Sequence, residues 1–518
     1  MPLSGRSAMR GTGCCALAAA AILAAAGAPS ARADLVPLPT SDPTAATSIF
    51  GQATTTLLSR SITGGVPNGP SSNASVSKDD RLATLIAYQS DASDIVAGDT
   101  NGTTDVFAVR RAQPYSSDGS PWYIGDTVLV SHGIGGPANG ASYSPAVSGD
   151  LTHAPSCIAF VSQASNLVPG DTNGVADAFV WHAATGAITR VSVGSHGEQA
   201  NGPSYEVSVS GNCSRVAFSS SATNLALRRT SRLAWKSAVS PQPAGTQVYV
   251  RFLGSGLDRG FRGLTMLASA STSGRPGNGD STQPSLSASG KTLAFTSTAT
   301  NLDRGDSDSA ADVYARSLER KFKHFGRGRA AQVIARGTRL VSGTSAGDAG
   351  NGPSSLPSVS DNGQYVAYAT LASDLVPGDS NGASDVVRAD LASAHPAQFA
   401  ISATPSGLGN GPSTAPSISS SGHFIAFQSD ASNLKMRPDL LSDSNGVCDM
   451  MVGVVGLSAA SVESLNNLNR FVTTPSARPS ISSHGNYIAF ESADSMMDTS
   501  HPNPGVKAIY LRYLGPKN

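Results

Sequence analysis

Five segments of this chain space carboxylates and amides as a cation site would need them. Four read Asp-x-Asn-Gly-x-x-Asp: Asp99/Asn101/Asp105, Asp171/Asn173/Asp177, Asp379/Asn381/Asp385 and Asp443/Asn445/Asp449. A fifth is altered, Asp306/Asp308/Asp312, with Ser309 where the others carry Gly. Alternating oxygen side chains around a Gly turn, closed by another carboxylate, resemble the middle of an EF-hand-type calcium loop. Calcium is therefore the cofactor the pattern admits, and no cofactor is required by it. The first acidic ligand of such a loop is missing, because Ala97, Pro169 and Pro377 stand in its place. A plain turn accounts for the same residues and is the preferred reading: Asn-Gly supplies positive φ, and Asp side chains cap nearby N–H groups. The altered copy leans towards oxygen ligation, since Asp308 keeps an oxygen while Ser309 gives up the easy turn.

Signals for other chemistry are weak. Gly343-Thr344-Ser345-Ala346-Gly347 matches a nucleophile pattern, but that pattern needs a strand-to-helix elbow, and here it falls between two strands. The nine histidines form no His-Glu-x-x-His pair, and no Gly-Lys-Ser/Thr phosphate loop occurs. Carboxylates are plentiful, yet no rule of sequence picks out a glycosidase pair. The 36 basic and 36 acidic side chains cancel, which argues against a dedicated nucleic-acid binder. Charge is nevertheless segregated: residues 225–340 hold 18 basic and 7 acidic side chains. Arg259, Arg262, Arg320, Lys321, Lys323, Arg327 and Arg329 could meet an anionic partner. A solvated insertion, part helical over 317–323, is the preferred alternative.

The elements that must carry these residues are repeated. A segment such as Pro357-Ser-Val-Ser-Asp-Asn-Gly-Gln-Tyr-Val-Ala-Tyr368 recurs seven times, ending at Tyr88, Phe160, Phe218, Phe295, Tyr368, Phe427 and Phe490. Each unit parses into four short strands, of the types Ser-Val-Ser, Val-Ala-Phe, Asp-Val-Phe/Tyr and Arg-Val-Ser, bounded by Gly, Pro, Asn and Ser. Helical periodicity is nearly absent. The expectation is an all-β fold, a seven-bladed β-propeller of four-stranded antiparallel blades over 54–518, with repeats at 68–512. Six blades would result if the degenerate unit between Tyr205 and Arg251 formed none. The chain's last strand, Ala508 to Arg512, is of the third type, so the strand at 54–60 is expected to complete the last blade and close the ring.

Two further features concern compartment. Arg6 and Arg10 precede the apolar run Cys14 to Ala26, and Ser30-Ala31-Arg32-Ala33 offers small residues for cleavage. Residues 1–33 read as a secretory signal and 34–53 as a linker. No later run is long enough for a membrane helix. Outside the cytoplasm a disulfide is permitted. Of Cys157, Cys213 and Cys448, the first two lie in adjacent units and are the preferred pair, with three packed thiols as the alternative.

The Pro-Ser-x-Ser-x-x-Gly-x-x-Ile/Val-Ala-Phe core followed by Asp-Val-Phe/Tyr resembles the TolB-type propeller repeat, a relative of WD repeats. The resemblance covers nearly all of the chain after the signal. It implies the propeller fold; family members include envelope proteins that dock other proteins, and similar blades accompany hydrolases, so it does not fix a role. The expected protein is an exported, monomeric, non-catalytic scaffold, periplasmic or extracellular, binding a protein or a cell-surface polymer such as a glycan. The alternatives are a carbohydrate-active hydrolase or lyase with carboxylates near the central channel, and a structural surface protein with calcium-stiffened loops.

Overall fold

The structure is a computed structural model that describes residues 53–114, 122–229, 235–237, 245–254, 261–325, 329–334, 337–434, 443, 445–457 and 460–515. The signal segment and the linker up to residue 52 lie outside them. Seven four-stranded antiparallel sheets follow one another along the chain. The first blade is Ser71–Val76, Leu85–Ser90, Asp105–Arg111 and Ile124–Leu129. The degenerate third unit forms a full blade: Ser204–Val209, Arg215–Ser220, Gln247–Phe252 and Thr265–Leu267. The seventh takes Ser476–Ile481, Tyr487–Ser492 and Ala508–Tyr513 from the C-terminal end and Thr54–Leu57 from the N-terminal end. Thr54 pairs with Tyr513 and Leu57 with Tyr510. The closing strand is thus shorter than the expected 54–60, although Leu58 N and Ser59 N still donate to Ile509 O at 2.8 and 3.2 Å.

The repeated Ala-Phe pair explains how blades stack. On each second strand, side chains alternate between two neighbours. Tyr88 and Phe107 of blade one pack against Ala489 and Ile509 of blade seven, while Ala87 and Ala108 of blade one receive Phe160 and Phe179 of blade two. The same exchange of a small face for an aromatic one recurs around the ring, as with Ala217 and Phe295, Ala294 and Tyr368, Ala367 and Phe427, and Ala426 and Phe490. Within a blade, the two aromatics stack at 5.8–5.9 Å in blades one to four. Because every blade buries both faces against its neighbours, closure leaves no apolar sheet face bare.

The Pro-Ser-x-Ser stretch does two jobs. Its first serine spans to the next blade: Ser358 Oγ accepts from Ile418 N at 3.1 Å, and Ser75, Ser208, Ser285, Ser417 and Ser480 serve Val147, Leu286, Val359, Ile481 and Val76 alike. Its second serine closes the following turn, as Ser360 Oγ does for Tyr365 N at 3.0 Å. Blade two carries Ala146 at the spanning position and so has no hydroxyl to offer blade three.

The connection after the third strand of blade four corrects the expected helix. Arg320–Phe325 and Arg329–Ile334 pair as a hairpin, so 317–323 is not helical. Phe322, Phe325, Val333 and Ile334 favour extended backbone, and that preference prevails over the short charged run. Among the described residues no α-helix occurs, and none is long and apolar enough to cross a membrane.

Candidate functional site

The loops entering each first strand and the loops joining second to third strands lie on one face, where they brace each other. Asn68 N donates to Asp94 Oδ1 at 3.0 Å, Asn68 Nδ2 to Ser93 Oγ at 3.0 Å, and Ser93 N returns a bond to Asn68 Oδ1 at 3.0 Å. The same clamp is built on Asn139, Asn201, Asn278, Asn351 and Asn410. The glycine after each of these asparagines is needed for close approach: a Cβ on Gly69 would lie 2.8 Å from Asp91 O, and one on Gly352 2.8 Å from Leu371 O. The exposed asparagines are therefore committed to architecture, and the face is pre-organised.

Each Asp-x-Asn-Gly-x-x-Asp loop places its last aspartate at the start of a third strand. Asp105 Oδ1 accepts from Ser131 Oγ at 2.6 Å, and the same Oγ accepts from Val106 N. Ser192, Ser342, Ser402 and Ser464 repeat this for Asp177, Asp312, Asp385 and Asp449. In blade three Gln247 stands in the aspartate position, and Ser269 donates to its Oε1 at 2.7 Å. These serines, at the ends of the Arg-Val-Ser strands, were not singled out from sequence, although their spacing from the aspartate repeats.

The middle asparagine occupies the space a cation would need. Asn101 Nδ2 donates to Asp105 Oδ2 at 2.6 Å and to Ala138 O at 3.2 Å. Asn173 reaches Asp177 Oδ2 and Ala200 O, and Asn381 reaches Asp385 Oδ2 and Gly409 O. Asn445 reaches Asp449 Oδ2 at 3.0 Å. Blade two adds Arg190, whose guanidinium lies 3.0 Å from Asp171 Oδ1 and 3.3 Å from Asp177 Oδ2. Gly102, Gly174, Gly382 and Gly446 take φ of +63 to +68° with open space around them, as a turn requires. Burial pushes Asp105 and Asp385 up to about 6 and Asp449, which also faces Asp443, up to about 8. The fourth-blade copy differs: Asp306, Asp308 and Asp312 converge with no amide among them.

The first strands neighbour one another around the channel. At the end away from the loop face, Gly149 N bonds Gly211 O, Gly211 N bonds Ala288 O, and Asp361 N bonds Ser420 O, so the tight turns form a belt. Lys78 crosses this end, its Nζ 2.9 Å from Ile418 O and 3.3 Å from Asp361 Oδ1. At the other end, side chains link bulged first strands: Gln89 Oε1 accepts from Ser144 N, Glu206 Oε2 from Gln283 N, Gln283 Oε1 from Leu356 N, and Gln428 Oε1 from Arg478 N, at 2.8–3.0 Å.

The loop face also shows large apolar side chains. Ile62 is 64% exposed, Ile134 60%, Leu468 54% and Met496 41%. They sit on the entering loops of blades one, two and seven and on a second-to-third-strand loop of blade seven, three consecutive positions in the ring. Entering loops of blades three to six carry Ser195, Thr272, Ser345 and Pro405 instead. Ser345 lies in a loop bracketed by the Gly343–Ala349 bridge, with no helix behind it.

Cys157, on the second strand of blade two, and Cys213, in the first turn of blade three, are joined with their Cα atoms 6.1 Å apart. The link falls at the junction where Ala146 supplies no serine. Cys448 is buried at blade six. Of the basic cluster, Arg259 and Arg327 lie outside the described residues. Arg262 follows blade three's third strand, and Arg320, Lys321, Lys323 and Arg329 lie on the hairpin.

No protein-family model matches the chain, and no curated protein does. Many solved structures do. Two TolB proteins are among them. The putative TolB of Agrobacterium tumefaciens is 12% identical over 75% of this chain and 94% of its own, with a TM-score of 0.33. An oligogalacturonate lyase in complex with manganese is 11% identical over 89% of this chain and 96% of its own, with a TM-score of 0.46. A prolyl endopeptidase structure is 12% identical over 87% of this chain, with a TM-score of 0.44, and this chain spans 50% of its length. At such values no activity passes from these proteins to this chain.

Proposed function

We propose that this chain is an exported binding scaffold that docks a protein on the loop face, over blades seven, one and two. The observation that carries this reading is the set Ile62, Ile134, Leu468 and Met496, exposed on three consecutive blades of one face, against the single exposed Leu371 on the corresponding loops of blade five. Clustered apolar side chains ringed by amides suit a protein surface better than an anion or a nucleic acid. The asparagine clamps hold the loops in place beforehand, which lowers the entropy lost on docking. Lys78 ties blade one to blades five and six at the end away from the loop face. Export rests on the basic start, apolar run and small residues that end at Ala33.

A photo-crosslinking residue placed at Ile62 or Ile134 in producing cells tests the docking. A discrete adduct is expected there, lost in Leu468→Asp, whose melting temperature stays unchanged. Equal adducts from Phe399, on the outer strand of blade five, would overturn the reading. Fractionation and N-terminal sequencing test export, with Asp34 expected as the first residue.

A further inference from the structure

We propose that Asp306, Asp308 and Asp312 form a divalent-cation site of the calcium class, confined to the fourth blade. One oxygen from each of the three carboxylates lies within 4.8 Å of the others. Among the described residues this is the one such cluster of three. A group of acids alone would prove little; the deciding atom is Asp312 Oδ2. Asp312 is 1% exposed, its Oδ1 accepts from Ser342 Oγ at 2.6 Å, and its Oδ2 is buried without a hydrogen-bond partner. In the sister loops of blades one, two, five and six that second oxygen receives the asparagine amide at 2.6–3.0 Å. Asp308 replaces the asparagine, so the N–H is gone and a carboxylate stands where the donor would be.

The other sites show why the proposal is confined to one blade. Blade one also leaves Asp99 Oδ1 buried without a hydrogen-bond partner, but there the Asn101 amide already stands against Asp105. In blade two the Arg190 guanidinium fills the role. The amide or guanidinium is a built-in substitute for a cation, and blade four alone among the five loops lacks one.

The surrounding bonds pre-orient the set. Asp306 Oδ1 accepts from Asp308 N at 3.1 Å, Asp308 Oδ1 from Ala310 N at 2.7 Å, and the Tyr314 hydroxyl donates to Asp306 Oδ2. All donors are oxygens, which selects hard cations over zinc or copper. Asp308 is exposed, so water completes the shell, and calcium's flexible coordination fits that better than magnesium's strict octahedron.

Terbium tests the site, because Tyr314 bonds a ligand and can sensitise its luminescence. Titrating the full-length chain with Tb³⁺ should give a saturable signal of one ion per chain, displaced by calcium at millimolar or lower concentration. Asp308→Asn, which restores the sister residue, should cut the signal at least tenfold while its melting temperature in chelator is unchanged or higher. Absence of a saturable signal in the unaltered chain, or an undiminished one in Asp308→Asn, would overturn the proposal.

Discussion

Arg512 and Glu463 form an ion pair with both side chains fully buried, Nε to Oε2 3.1 Å, across the junction of blades six and seven. Arg512 also donates to Thr55 Oγ1 at 3.0 Å, and Thr55 in turn donates to Leu465 O at 2.6 Å. The closing strand is thus tied to the third strand of its own blade and to the loop that follows the last strand of the blade before. Removing one partner of a buried pair strands the other charge. Arg512→Met should cost about 3–5 kcal/mol. Denaturant unfolding measures it, and a loss confined to the first transition would show that the ring opens at this seam.

The buried aspartates set a pH dependence. Asp105, Asp385, Asp312 and Asp449 have folded-state values of about 6, 6, 7 and 8, above the ordinary 3.8. At these four sites the folded chain holds more protons than the unfolded chain between pH 3.8 and each folded value, so the stability they contribute falls as pH rises through that window. Melts in chelator should be higher at pH 5 than at pH 7.5. Calcium should flatten the part due to Asp312, and a melt that rises with pH would contradict this account.

Ala367 shows how little room the Ala-Phe exchange leaves. It is fully buried in the cluster that holds Phe427. Ala367→Leu overpacks the junction of blades five and six and should cost about 1–3 kcal/mol. Phe427→Ala leaves a cavity and should cost about 3–5 kcal/mol. Chemical denaturation of both variants measures the two costs.

The glycines of the two Asn-Gly motifs should respond differently. Gly352→Ala drives a Cβ to 2.8 Å from Leu371 O, so backbone must shift. Gly382→Ala meets nothing but keeps φ at +63°. The second should cost about 1 kcal/mol and the first more. Thermal melts of the two single variants give the order directly.

The Cys157–Cys213 link closes a separation of 56 residues at the junction without a spanning serine. Chain-entropy arguments give it about 4 kcal/mol. A reductant should lower the melting temperature, and Ala146→Ser should recover part of the loss by restoring a hydroxyl for blade three.

The local chemistry of this protein is written in its repeats. Ser-Val-Ser, Val-Ala-Phe and Asp-Val-Phe/Tyr fix alternation, turn and strand length, so a seven-bladed ring closed by a strand at 54–60 is legible in the repeats, with six blades as the alternative; the structure forms all seven and pairs Thr54–Leu57 of that stretch. The hairpin at Arg320–Phe325 and Arg329–Ile334 is not legible in the sequence, because a short charged run has no helical or strand period strong enough to decide it. What the alanine in Val-Ala-Phe is for, and which serine reaches which blade, depends on residues one repeat away in the chain. Four of the five acidic loops share one pattern in sequence, and the fifth carries Asp308 and Ser309 in place of Asn-Gly. Only the packed structure brings Asn101 onto Ala138 O and Arg190 against Asp171, and buries Asp312 Oδ2 without a donor, because these arrangements depend on separate loops and strands whose placement the closed ring determines.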